Sequence, residues 1–286
     1  MFKKISVLLV LVFLIGTLSG CGSGNDQYAI ERKFWYAQRQ ANNIIEHPFA
    51  SPPQELERTV SVLKKFSNEN PENPLAVRSE FLIGRLYMAK GMYDKTRDQF
   101  SQIIAKYRRE DSLCSEALFY IGNSYEIDNK WNSALQQYRR IMKKYPLTQK
   151  GLDAPIYIAR YYEEKHNTEK MNSAYKEAIA YYDSLAERYP DTIFGFMVSN
   201  LKAKCYVALK EWESAVRAFN VVIQGYRYKG QFAMDQILIN IALIYDRQLK
   251  DKDRAKRALE KLINEYPKSR FISSATEMLE ELSEDS

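Results

Sequence analysis

The 286-residue chain is poor in the residues that build compact catalytic and metal centres, with two histidines and three cysteines. His47 and His166 stand far apart and neither falls at ligand spacing from another histidine or cysteine, so no metal site is expected. The chain has no Gly-x-Ser-x-Gly turn, no glycine-rich loop closing on lysine and no Cys-x-x-Cys. Those absences argue against nucleophile-elbow hydrolases, phosphate-cradling loops and dithiol redox chemistry. The acidic pairs Glu163-Glu164 and Glu280-Glu281 are adjacent, and on a helix neighbouring side chains diverge by about 100°, so neither pair can share a substrate atom. The 11 glycines and 9 prolines fall mostly at intervals, and β-branched alternation is scarce, which disfavours a sheet. No apolar run approaches the roughly 20 residues of a membrane-spanning helix. The charge, 42 basic against 36 acidic residues, is only mildly positive and is interleaved along the chain, so a nucleic-acid partner is not expected.

What the chain has instead is periodicity. Expected helix ends at Tyr107, Tyr145-Pro146, Tyr189-Pro190, Tyr226 and Tyr266-Pro267 are spaced by 38, 44, 37 and 40 residues. Aligned on them, small residues recur in each first helix at Gly84, Gly122, Ala159, Ala203 and Ala242, with tyrosine three positions later at 87, 125, 162, 206 and 245. In each second helix Thr96, Ala134, Ala178, Ala215 or Ala255 precedes by four residues a large side chain, Phe100, Tyr138, Tyr182, Phe219 or Leu259. The i, i+4 spacing puts small and large on one face, where they are expected to form the crossing between paired helices. Cys114 and Cys205 lie about two repeats apart, beyond the ~7 Å that a disulfide tolerates, and are read as small buried residues.

These positions resemble the tetratricopeptide repeat, which carries a small residue, Tyr, Ala, an aromatic and Pro in that order over ~34 residues. The resemblance spans residues 75–267 in five copies and implies an all-α fold, a right-handed superhelical solenoid of helix pairs. Arg108 and Arg227 stand where Pro is expected, and the third copy holds about seven extra residues near 164–172, an extended helix or a protruding loop. Residues 28–74 read as a degenerate N-terminal repeat, with helical stretches at 28–45 and 53–66. Residues 270–282 read as a helix capping the last copy, ahead of acidic Glu284 and Asp285. The mature chain is thus expected to form one elongated domain over 28–286.

The first residues carry a different signal. Lys3 and Lys4 precede an apolar run at 7–15 that closes on Leu18-Ser19-Gly20-Cys21. That end resembles a bacterial lipobox, which implies a signal peptide over 1–20, cleavage before Cys21, and a diacylglycerol thioether and N-acyl group on Cys21. Residues 21–27 then form the lipidated cysteine and a short linker. Several acyl chains, at ~0.8 kcal/mol per buried methylene, would hold the chain to the membrane firmly. Loss of Lys3 and Lys4 lowers the formal charge from +6 to +4.

Lipobox, linker and repeats together resemble the BamD family, the repeat lipoprotein of the outer-membrane β-barrel assembly machinery. The resemblance implies a periplasm-facing scaffold with no chemistry of its own and no cofactor beyond the lipid, binding the barrel-forming subunit and unfolded outer-membrane proteins. Gly22 after the acylated cysteine favours the outer membrane over retention in the inner one. Other envelope machines built on repeat lipoproteins, Tol–Pal and cell-division coordination or pilus secretin assembly, remain open, as does a cell-wall hydrolytic enzyme.

In this repeat class the first helices line the concave face. The register there implies a partner-binding groove of Arg78, Phe81 and Arg85, then Glu116, Phe119, Asn123 and Glu126, continuing through Arg160, Glu163, Asn200, Lys204, Ile239, Asp246 and Arg247. Phe81 and Phe119 are either anchors for an apolar ligand residue or covered by neighbouring helices. Arg78, Arg85 and Arg160 suit an acidic or C-terminal group.

Overall fold

The computed structural model describes residues 22–190, 192–225 and 234–284. Among them are thirteen α-helices, one π-helix and no strand. The expected signal peptide, Cys21, Tyr226, Arg227 and Asp285 lie outside the described residues. The helices are α1 Gly22–Glu46, α2 Pro53–Glu69, α3 Pro74–Ala89, α4 Tyr93–Lys106, α5 Asp111–Ile127, α6 Trp131–Lys144, α7 Gln149–Glu164, α8 Thr168–Arg188, α9 Ile193–Ala208, α10 Trp212–Gly225, α11 Met234–Leu243, α12 Lys252–Glu265 and α13 Ile272–Glu284. α11 runs directly into the π-helix Ile244–Leu249. The chain divides into two compact units, Met1–Ile141 and Met142–Ser286. In the first, α1 packs on α2 and α3, α2 on α3, and α4 on α3 and α5. In the second, each helix from α7 to α13 packs on the next.

The small–large pattern of the sequence is the packing of each pair. A Cβ built on Gly84 would lie 2.6 Å from the Phe100 ring, and one on Gly122 would lie 2.5 Å from Tyr138. Phe100, Tyr138 and Tyr182 are fully buried. Full burial of one such side chain stabilises by about 1.5–3 kcal/mol, provided that a tyrosine hydroxyl keeps a partner. Tyr182 keeps one, donating to the Leu152 carbonyl at 2.6 Å. In α1 and α2, Phe34, Ala37, Ala41, Ile44, Leu56, Leu63 and Phe66 form a core of the same kind, closed by Leu82, Ile83 and Leu86 of α3. Cys114 and Cys205 are buried, and neither forms a disulfide among the described residues. Burial pushes the Cys205 thiol up to about 12.

The turn inside each pair has one construction. The repeated tyrosine's carbonyl accepts the N–H five residues on, from Met92 to Tyr87, Lys130 to Tyr125, Asn167 to Tyr162 and Glu211 to Tyr206, at 2.7–2.9 Å. This six-to-one bond needs a left-handed residue, and Gly91, Asn129, His166 and Lys210 take φ of 69°, 58°, 53° and 58°. His166 is therefore a turn residue. In the fifth pair Lys250 takes the left-handed place, with φ of 54°, and the Tyr245 carbonyl accepts from Lys250 N–H and also from Asp251 N–H, six residues on.

The seven extra residues of the third copy lengthen a helix. α8 has 21 residues where α4, α6, α10 and α12 each have 14. Seven residues are close to two turns of 3.6, so Ala178 and Tyr182 return to the face they would otherwise occupy. At the N-terminus, the expected leash at 22–25 is the first turn of α1. A helix end leaves its first N–H groups unpaired in any case, so glycine there loses no intrahelical bond.

Candidate protein-binding surface

α3 presents Arg78, Phe81 and Arg85 at i, i+3 and i+7, a spacing that keeps them on one helix face. Arg78 is exposed and its guanidinium sits over the Phe34 ring at 5.6 Å. Neither Arg78 nor Arg85 has a carboxylate within 4.0 Å among the described residues. Phe81 is half-buried, with its centroid 5.6 Å from Phe100 and 6.0 Å from Tyr120, both edge-on. Phe100 and Tyr120 stack face to face at 4.7 Å. The three rings form a continuous aromatic platform, and part of Phe81 stays open between two arginines.

Tyr120 joins the helices, and the groove register did not include it. Burial raises its pKa, Arg85 opposes that rise and Glu116 adds to it, so α3 and α5 bring both groove residues to one hydroxyl. Its position, four residues after Glu116, was the available signal.

The rest of the α5 set serves the repeat itself. The Tyr138 hydroxyl lies 2.7 Å from Asn123 Oδ1 and 2.8 Å from Glu126 Oε2. Half-buried Phe119 packs 5.5 Å from the Tyr138 ring. In the second unit the Tyr175 hydroxyl donates to Glu163 Oε2 at 3.4 Å, and nearby Arg160 opposes the rise that burial and Glu163 impose on the Tyr175 pKa. Asn200 is half-buried and Lys204 exposed on α9, while Asp246 is half-buried and Arg247 exposed in the π-helix. Ile239 is 5% exposed and belongs to the core, because in α11 that side of the helix is apolar and covered.

Four of the five repeated tyrosines are covered on one face by cations, a feature their spacing did not suggest. Lys95 lies over Tyr87 at 5.7 Å, Arg97 over Tyr125 at 4.4 Å, Lys170 over Tyr162 at 5.7 Å and Arg254 over Tyr245 at 5.1 Å. Arg97 also meets Asp128 at 3.4 Å, whose carboxyl is held below its usual range chiefly by Lys130. Each contact ties the end of a first helix to a second helix. Among the described residues no group of three metal-ligating side chains occurs, and no helix is long and apolar enough to cross a membrane.

Four segments, 78–109, 116–148, 157–192 and 236–269, match the tetratricopeptide repeat family. They cover the pairs α3/α4, α5/α6, α7/α8 and α11/α12, and the pair α9/α10 lies between the third and fourth matches. No curated protein matches the chain. Among solved structures, BtubC from P. vanneervenii is 15% identical over 82% of this chain and 90% of its own, with a TM-score of 0.43. The C-terminal part of a TPR repeat-containing protein from Cytophaga hutchinsonii is 18% identical over 79% and 78%, with a TM-score of 0.43. A tetratricopeptide repeat protein from Parabacteroides merdae is 12% identical over 88% and 99%, with a TM-score of 0.34. The chain is a tetratricopeptide-repeat protein, an all-α protein-binding scaffold.

Proposed function

We propose that this repeat protein is a lipid-anchored envelope scaffold that binds an extended, partly acidic polypeptide on the α3–α5 face, in the service of outer-membrane protein assembly. The observation that carries the binding site is the line Arg78, Phe81, Arg85 on the aromatic platform of Phe100 and Tyr120. Two arginines without ion-pair partners among the described residues flank a half-open ring, an arrangement suited to an apolar or aromatic ligand residue with carboxylates on either side. Arginine and aromatic side chains dominate interface energies, and a charge-assisted bond contributes about 1.5–3 kcal/mol. The envelope assignment rests on the lipobox at Cys21 and on the resemblance of the whole layout to the BamD family. The reading carries no catalytic step and no cofactor beyond the lipid on Cys21.

The test is a crosslinking pull-down from detergent-solubilised membranes with the full chain and with Arg78→Ala plus Arg85→Ala. Recovery of a barrel-assembly subunit is expected with wild type, reduced about tenfold in the variant, the equivalent of ~1.4 kcal/mol. Unchanged recovery would reject the α3 site. Recovery of secretin or Tol–Pal components without a barrel subunit would replace the assembly reading, and an unmodified Cys21 in the mass spectrum would remove the anchor. The aromatic platform is tested separately with Phe81→Ala, which is expected to lower recovery while leaving helicity unchanged.

A further inference from the structure

α1 has two faces of opposite character. Phe34, Ala37, Ala41 and Ile44 are buried against α2 and α3. The outer face carries Tyr28, Trp35 and Tyr36, which are 65%, 51% and 57% exposed, three of ten large hydrophobics so exposed among the described residues. Two arginines lie among them. Arg32 is over the Tyr28 ring at 5.9 Å, Arg39 is over the Trp35 ring at 5.6 Å, and Trp35 and Tyr36 meet edge-on at 5.0 Å. Tyr28, Arg32, Trp35 and Arg39 recur at i, i+4, i+7 and i+11, a single stripe on the helix. An isolated exposed aromatic needs no explanation, but a stripe of them on one helix marks a contact surface.

The chemistry of the stripe favours a phospholipid surface. Tryptophan and tyrosine sit at the headgroup level of bilayers, the ring against the acyl boundary and its polar edge in the headgroups. Arginine beside them reaches phosphates with its guanidinium while its stem covers apolar area. The acidic groups of the face are few and placed. Glu31 accepts from Gln27 Nε2 at 2.7 Å, and Glu46 lies at the far end. Glu46 and Arg39 line a hollow of about 350 Å³ with Trp35, Gln38, Asn42 and Asn43. One guanidinium and one carboxylate with amides between them match the phosphate and ammonium of a zwitterionic headgroup, whereas an acidic polypeptide would meet Glu46 unfavourably.

Position adds an independent argument. α1 begins at Gly22, the residue after the lipidation candidate Cys21. At ~1.5 Å per residue Tyr28 lies about 9 Å, and Arg39 about 26 Å, along the axis from Gly22. A chain tethered at Cys21 therefore keeps the whole stripe within reach of the bilayer.

We propose that the aromatic–arginine face of α1 lies on the phospholipid headgroup layer and holds the N-terminal unit against the membrane. For the tether this rests on lipidation of Cys21; for the contact it rests on the face alone. The test reconstitutes the full chain, purified from membranes, into phosphatidylethanolamine vesicles containing a minority of phosphatidylglycerol, with acyl chains either brominated or not. Brominated lipid is expected to quench part of the tryptophan emission, and that quenched part is lost in Trp35→Phe. A chain that carries the lipid mass on Cys21 and floats with the vesicles, yet emits equally in both lipids, overturns the proposal and leaves the anchor standing. A Cys21→Ser chain that still floats and is still quenched supports the contact and shows the anchor is not needed for it. Absence of quenching together with loss of a co-purified protein in Trp35→Ala overturns the proposal in favour of a protein partner.

Discussion

Gly122→Ala tests whether the helix pairs are held apart by the distance the repeat pattern implies. The new methyl would lie 2.5 Å from Tyr138 Cε1 and 2.9 Å from Cζ, about 0.9 Å inside the 3.4 Å at which ordinary contact begins. The ring is poorly placed to yield, being fully buried with its hydroxyl between Asn123 and Glu126. Overpacking of this kind costs about 1–3 kcal/mol, and replacing a mid-helix glycine returns roughly 0.5–1 kcal/mol, so the net loss is about 0.5–2 kcal/mol. Gly225→Ala is the control, since a Cβ there meets nothing within 4 Å among the described residues. Thermal unfolding followed by circular dichroism reads both, at about 2–4 °C per kcal/mol for a chain of this size. The expected result is a lowered midpoint for Gly122→Ala and an unchanged or raised one for Gly225→Ala. A Gly122→Ala protein as stable as wild type would refute the crossing geometry.

Lys210→Gly is expected to stabilise by about 0.5–1 kcal/mol, because lysine at φ of 58° bears a left-handed strain that glycine lacks, and an unmoved urea midpoint would contradict this. Gly91→Ala, at φ of 69°, is expected to destabilise by a similar amount in the same assay. Stability is expected to fall from about pH 9 towards pH 12. The neutral Cys205 thiol and Tyr181 phenol are held by burial up to about 12 from ordinary values of 9.0 and 10.0. The unfolded chain releases these protons first, so the stability they contribute is complete below pH 9 and lost as pH rises through 12. A urea midpoint that is flat across this window would count against the burial of both groups. Native protein at pH 8.5 is expected to leave Cys205 unalkylated by iodoacetamide, and rapid labelling without unfolding would contradict its burial.

The helix pairs were legible because each position in the repeat is a steric requirement. Gly84 and Gly122 are small since Phe100 and Tyr138 occupy the space a Cβ needs. The turns were less legible, since His166, Lys210 and Lys250 occupy left-handed positions without the composition that announces one. Tyr120 escaped the groove register because it is defined by what α3 brings to it, the edge of Phe81 and the charge of Arg85, and sequence spacing along α5 holds no record of α3. The α1 stripe was likewise visible only once Phe34, Ala37, Ala41 and Ile44 were known to face inward.

The two irregular copies obey one rule, that an insertion must return the helix to its face. In the regular copies nine residues separate the repeated tyrosine from the small residue of the next helix, as between Tyr87 and Thr96, Tyr125 and Ala134, or Tyr206 and Ala215. The third copy adds seven, which turn an α-helix through about 700°, within ~20° of two full turns, so ordinary helix absorbs them. The fifth copy adds one, between Tyr245 and Ala255, and one residue would swing every later side chain by about 100°. A π-turn takes up a single residue while the flanking faces hold their register, and the structure has Ile244–Leu249 in that conformation. The Tyr245 carbonyl then accepts from Asp251 as well as from Lys250, one residue beyond the donor in the other turns, and Ala255 and Leu259 are still fully buried. Asp246 and Arg247 lie within this widened turn, so the change of pitch decides where these two groove candidates project.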